Sequence, residues 1–222
     1  NRLCYAGSVL HTQPDGFHRS REPIQIGAEL YGEAGAEADL EILGLMLQGL
    51  AVCGVKTLQL DIGHVGVYRA LAQEARLSRE VEHQLFGALQ AKDSSAVAVL
   101  AAGLPIALRD AFAALPRLYG DRSVLAEARA CLPQLAAVEA ALDTLEILDR
   151  GLVNVEAAYD LAELRGYGYH SGVVFAAYTG GRSHAIAQGG RYDEVGRVFG
   201  RARPATGFSL DLRELAIASY DA

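Results

Sequence analysis

Between about residues 66 and 150 the sequence becomes Ala- and Leu-rich, cut at Gly103, Pro105, Pro116, Gly120, Pro133 and Gly151, while the residues on either side alternate like strands. Strands parted by such a stretch must find each other across it, which argues for a strand domain interrupted by helices. Within the middle, Leu135, Val138, Leu142, Leu145 and Leu148 recur at helical spacing, a packing stripe rather than a chemical device. We therefore expect an α+β fold, with an antiparallel sheet flanked by helices and an all-helical insertion. Residues 1–65 are the first part of the core, 66–150 the insertion and 151–222 the second part.

Each strand zone has its own punctuation. In the first, Asp39 reads as an N-cap for a helix through Leu40, Leu43, Leu47 and Leu50 that stops near Gly54, and Lys56 to His64 follows as a strand. In the third, Val155, Ala157, Tyr159 and Leu161 alternate as on a strand. Gly172 to Tyr178 is expected to meet Ser183 to Gln188 across a Thr179–Arg182 turn, and a helix is expected from Arg191 to Phe199.

Composition narrows the function classes. Twenty Lys and Arg against 27 Asp and Glu leave a formal charge of −7, with no basic run to track a phosphate backbone, so no nucleic-acid partner is expected. Cys4, Cys53 and Cys131 lie far apart without a CxxC pair, which indicates neither disulfide framework nor metal site and suits a reducing cytoplasm. Charged residues break every alanine-rich run before it reaches membrane-spanning length, so no membrane partner is expected. The chain opens on Asn1 rather than methionine, as a piece of a longer protein would.

Three segments concentrate the chemistry. In 21–32, REPIQIGAELYG, Gln25 and Glu29 are four apart on a strand and so share a face, about 13 Å from each other by strand rise. An amide and a carboxylate on an apolar floor suit an ammonium, imidazole or amide N–H, although the same residue types also fit an edge strand facing solvent. In 164–175, LRGYGYHSGVVF, glycines allow tight backbone paths beside Tyr167, Tyr169 and His170, and Arg165 offers a bidentate fork; a Gly-rich turn with aromatic packing is the plainer reading. In 188–193, QGGRYD, a double glycine without a Walker or dinucleotide pattern does not make a phosphate loop. Ser/His/Asp triads, His-Glu-x-x-His helices and nucleophile elbows are absent from the sequence.

Taken in order, these segments resemble histidyl-tRNA synthetase and its paralogues, a class II aminoacyl-tRNA synthetase-like fold. Gln25, Gly27, Glu29 and Gly32 match the close of motif 2. Arg165, Gly166, Tyr169, Gly172, Val174 and Phe175 match the first histidine signature, 189–193 matches the second, and 204–208 runs toward motif 3. The resemblance covers the two strand zones, and the helical middle lies where the family carries an insertion.

The departures from the family pattern bear on activity. Leu10-His-Thr-Gln13 stands where motif 2 carries a phosphate-binding arginine, so His11 and Gln13 occupy lost ATP-site positions. Asp211-Leu-Arg-Glu214 stands where motif 3 ends in Glu-Arg, which puts the Glu214 carboxylate where a cation is needed. Gly168 and His170 replace an Asp and a Tyr of the first signature. The histidine-side residues Gln25, Glu29, Arg165, Tyr169, His170, Arg191 and Tyr192 are then expected to bind histidine without catalysis, metal or cofactor. That pattern resembles the regulatory subunits of ATP phosphoribosyltransferase, which implies a short-form catalytic subunit as partner, a hetero-octamer, activation of that partner and histidine as effector. The alternative is a fragment of a true or diverged histidyl-tRNA synthetase that forms an aminoacyl adenylate.

Overall fold

The computed structural model describes residues 1–12, 20–153, 155–180 and 184–220, with side chains up to residue 217. Gln13, together with Gly181 and Arg182 of the expected turn, lies outside the described residues. Along the chain run β1 (Arg2–Ser8), β2 (Ile24–Tyr31), α1 (Ala36–Val52), β3 (Gln59–His64), α2 (Val65–Glu74), α3 (Arg79–Gln90), α4 (Ser94–Ala101) and α5 (Ile106–Ala114). Then come β4 (Tyr119–Gly120), α6 (Ser123–Cys131), α7 (Ala136–Gly151), β5 (Ala157–Asp160), β6 (Val173–Tyr178), β7 (Ala187–Arg191), β8 (Ala205–Asp211) and α8 (Leu212–Tyr220). Two compact units result, one formed by Asn1–Leu60 with Phe175–Ala222 and the other by Asp61–Val174.

In the first unit the hydrogen-bonded order is β1-β2-β8-β7-β6, with β1/β2, β2/β8 and β8/β7 antiparallel. Alternation along β2 sends Ala28 and Leu30 into the core, where Ile42, Leu43, Met46 and Leu50 of α1 are also buried. Asp39 does not cap this helix. The helix starts three residues earlier, after an extended Gly35 with no side-chain cap, and Glu37 and Asp39 fall in its first turn, where the helix dipole favours negative charge. Asp39 is 1 % exposed and serves as a buried counter-ion.

The expected helix at 191–199 is also shorter than the sequence suggests. Arg191 ends β7, and only Val195–Phe199 forms a 3-10 turn, closed by Gly200 at φ +100°. The Asp193 carboxylate accepts the Ala205 N–H at 3.1 Å and so fastens this connection to the start of β8.

The second unit holds α2 to α7 with the Asp61–His64 part of β3, β5 and β4, in that hydrogen-bonded order. His64 caps α2 by accepting the Gly66 N–H on Nδ1 at 3.0 Å. The apolar stripe of α7 is realised as buried Val138, Ala141, Leu142, Leu145 and Leu148. The strand expected from Val155 to Leu161 is β5 alone, paired with the two-residue β4 through Tyr119↔Asp160 and Gly120↔Tyr159.

Candidate ligand site

Strand register in the first unit sorts its polar residues by face. Glu29 pairs with Gly207 and with Leu3, Gly27 with Ser209 and Tyr5, and Gln25 with Asp211 and Gly7. Gly190 pairs with Gly207, and Gln188 with Ser209. One face therefore carries Tyr5, Gln25, Glu29, Tyr31, Gln188, Ser209 and Asp211 around the glycine floor of Gly27, Gly190 and Gly207. The floor is closely overlaid: a methyl at Gly207 would sit on the Glu29 carboxylate, and one at Gly27 would strike the Tyr5 ring and the Phe208 carbonyl.

Over this floor the Tyr192 hydroxyl donates a short hydrogen bond to Glu29 Oε2. The Tyr31 hydroxyl lies 3.3 Å from that of Tyr192, with the rings edge-to-face at 6.3 Å. Burial pushes the Glu29 carboxyl above its ordinary pKa, opposed by the Tyr192 hydrogen bond. The Tyr5 phenol is likewise pushed up, by burial first and then by the Glu29 charge. A half-buried carboxylate among phenols can accept an imidazole or ammonium N–H.

Arg191 points the other way. Its register partner Thr206 belongs to the opposite face, and there Nε donates to Asp39 Oδ2 at 3.1 Å. Nη1 reaches the Glu33 carbonyl at 3.1 Å and Asp193 Oδ1 at 3.2 Å, and Nη2 reaches the Gly35 carbonyl at 2.9 Å. With 8 % of its side chain exposed, Arg191 is committed to positioning and not to the glycine face. Burial raises the Asp39 carboxyl, with Arg191 acting to lower it.

Arg165, Tyr169 and His170 belong to the second unit, on a turn that Gly166 closes at φ +63°. Arg165 pairs with Glu163 at 3.3 Å, and His170 Nδ1 lies 3.0 Å from the Arg165 carbonyl. Burial lowers the His170 pKa, while Tyr169 is 48 % exposed. Two residues that sequence reasoning missed brace this turn. Arg69 donates to the His170 carbonyl at 3.0 Å and lies 5.1 Å over the Tyr167 ring, and Glu82 accepts the Tyr167 hydroxyl at 2.6 Å. Tyr31 was also missed, although its two-residue spacing from Glu29 places it on the same face.

His11, Gln25 and Glu214 converge with Gln188, Ser209 and Asp211 on a separate recess of about 110 Å³ within the first unit. Among the described residues that line it there is neither Lys nor Arg. Glu214 accepts from His184 Nε2 at 2.8 Å, and the Arg213 backbone N–H donates to Asp211 Oδ1 at 2.9 Å. The Arg213 side chain is exposed and does not line the recess. Among the described residues no group of three or more His, Cys, Asp or Glu is placed to hold a metal ion, and no helix is long and apolar enough to cross a membrane.

Comparison with known proteins places this geometry in a family. The family model described as histidyl-tRNA synthetase matches residues 1–215. An ATP phosphoribosyltransferase regulatory subunit of Thiobacillus denitrificans is 81 % identical over 218 residues, 98 % of this chain and 68 % of the relative. One of Ralstonia nicotianae is 60 % identical over 215 residues, 97 % of this chain and 56 % of the relative, so the chain spans between about half and two thirds of these relatives. The crystal structure of an ATP phosphoribosyltransferase regulatory subunit/histidyl-tRNA synthetase from Bacillus halodurans superposes with a TM-score of 0.86 at 29 % identity, covering 98 % of this chain and 58 % of that one. The α+β core is thus of the class II aminoacyl-tRNA synthetase type, and the chain belongs to the histidyl-tRNA synthetase family and, within it, to the ATP phosphoribosyltransferase regulatory subunits.

Proposed function

We propose that this chain is the core of a non-catalytic regulatory subunit that activates a short ATP phosphoribosyltransferase catalytic subunit and senses histidine, in the first step of histidine biosynthesis in the cytoplasm. The observation that carries the reading is the lining of the recess at His11, Asp211 and Glu214, which offers carboxylates and no cation among its described residues. A bound triphosphate would set like charges close together. At about 4 Å and an effective dielectric of about 20, each such pair costs about 4 kcal/mol, enough to exclude productive ATP binding.

The glycine face keeps what an amino acid needs. Glu29 is held by Tyr192 beside Tyr31 and Tyr5, so a cationic or N–H-bearing group meets an oriented acceptor in a partly desolvated place. An amino-acid recess without a nucleotide cradle supports a sensor, in which histidine biases one arrangement of the assembly by a coupling of roughly 1 to 3 kcal/mol. The relatives named ATP phosphoribosyltransferase regulatory subunits support the same role; the assembly proposed with the short catalytic subunit is a hetero-octamer.

The test uses the full-length protein and the short catalytic subunit, co-purified and assayed for phosphoribosyl transfer with and without histidine. Turnover should rise when this protein is added and fall again with histidine. Turnover independent of this protein would remove the regulatory reading, and turnover insensitive to histidine would remove the sensor.

A further inference from the structure

We propose that Arg69 and Glu82 are positioning residues for the sensor: from α2 and α3 they hold the turn that carries Arg165, Tyr169 and His170 in its ligand-ready shape, and they receive its signal. The inference rests on the reading that this turn takes part in binding histidine, and it adds which part of the helical unit is coupled to it.

One cation gathers the turn. The Arg69 guanidinium donates to the carbonyls of His170 at 3.0 Å, Tyr167 at 3.3 Å and Ser171 at 3.5 Å. At the start of the same helix the Val65 N–H donates to the Gly172 carbonyl at 3.0 Å. Among the described residues no carboxylate pairs with Arg69, so its charge is met by carbonyl dipoles and by the Tyr167 ring, whose centroid lies 5.1 Å from the guanidinium carbon. A guanidinium held by three carbonyls of one turn is satisfied only while the backbone keeps that path, which makes it a lock on shape.

Tyr167 carries the hold to α3. Its hydroxyl donates to Glu82 Oε1 at 2.6 Å, and its ring meets Tyr68 edge-to-face at 5.2 Å and Phe86 at 5.5 Å. The Tyr68 hydroxyl donates to the Glu82 carbonyl at 2.5 Å, so α2 and α3 grip the same ring together. Burial first, and then the Glu82 hydrogen bond, push the Tyr167 phenol up to about 12, which keeps it a donor throughout the neutral range. Within the turn the Tyr169 and His170 N–H groups both reach the Gly166 carbonyl at 2.7 Å. The two ligand-side residues therefore sit where the pinning of residues 167, 170 and 171 puts them.

A loosened turn binds only in the fraction of molecules in which it is formed, and apparent affinity falls by that fraction. By linkage, a ligand that favours the formed turn also steadies the helices that hold it.

The experiment measures amide hydrogen exchange and calorimetric histidine binding in the full-length protein, with and without the short catalytic subunit. In Arg69→Met the amides of Tyr169 and His170 should exchange faster, those of buried α7 residues at the parent rate, and histidine should bind about tenfold more weakly. Tyr167→Phe keeps the ring beside the guanidinium and loses the hydroxyl, and should weaken binding about threefold. Histidine should slow exchange in α2 and α3 of the parent and not of Arg69→Met. If Arg69→Met does not fold, Arg69→Lys, which keeps the charge and loses the fork, takes its place with the same direction of change. Faster exchange spread equally over α7, or histidine protection that stops at the turn, would leave Arg69 a merely structural residue and overturn the proposal. A parent that binds no histidine overturns the sensor reading and this proposal with it, whereas a parent and variants that bind equally overturn this proposal alone.

Discussion

Asp39 and Arg191, 152 residues apart in sequence, meet at 3.1 Å beneath the glycine face, with 1 % and 8 % of their side chains exposed. The pair joins the first turn of α1 to the end of β7. Tyr192, the next residue, reaches Glu29 on the opposite face from the pair. The described hydrogen bonds of the arginine of the second signature go to Asp39, Glu33, Gly35 and Asp193.

Breaking that pair should be costly. Asp39→Asn or Arg191→Met alone leaves one buried charge uncompensated, a loss of about 3 to 5 kcal/mol in urea unfolding. Asp39→Asn combined with Arg191→Met should lose clearly less than the sum of the single changes, since neither charge is then stranded. Additive losses would show that the two residues are not coupled.

Gly207→Ala tests the closeness of the floor. The added methyl falls on the Glu29 carboxylate and 2.8 Å from the Ala28 carbonyl, so either the carboxylate moves or the strands part. We expect about 1 to 3 kcal/mol of destabilisation, together with weaker histidine binding by calorimetry. Unchanged values for both would mean that Glu29 does not lie over Gly207.

Glu29→Gln separates stability from binding through its pH dependence. The Glu29 carboxyl is raised in the folded state, so its contribution is fully present below the ordinary carboxyl pKa of about 4.3 and is lost as pH rises through the folded value. The variant should melt higher than the parent at pH 7, converge with it near about pH 4, and bind histidine more weakly. A difference in melting temperature that does not change with pH would contradict the assignment.

In the second unit, Arg129 gathers three carboxylates of α7: Glu139, Asp143 at 2.5 Å and Glu146 at 3.0 Å. Arg129→Met leaves these same-face acids repelling one another, for a loss of about 1 to 2 kcal/mol. The loss should shrink in about 1 M salt, where screening acts within about 3 Å. A loss that does not depend on salt would assign the effect to packing of the arginine stem.

Much of the site is legible in sequence because strand period alone fixes a face. Gln25 and Glu29 share one, and the α7 stripe announces its buried side. The Glu29–Tyr192 contact is not legible, since it depends on how β7 and β8 register against β2. Asp39 misleads because an acid ahead of a leucine run looks like a cap, whereas its burial is decided by Arg191 far along the chain. The 191–199 segment misleads because Gly196 and Gly200 limit a helical pattern to one 3-10 turn. Nothing local marks Arg69 or Glu82 as braces of the turn at Gly166.

An amino-acid recess without a working nucleotide cradle is tested most directly by ATP–pyrophosphate exchange with the full-length protein. With histidine present, exchange should stay at the level of the protein-free blank. Histidine-dependent exchange above that blank would contradict the account and restore adenylate chemistry to this chain.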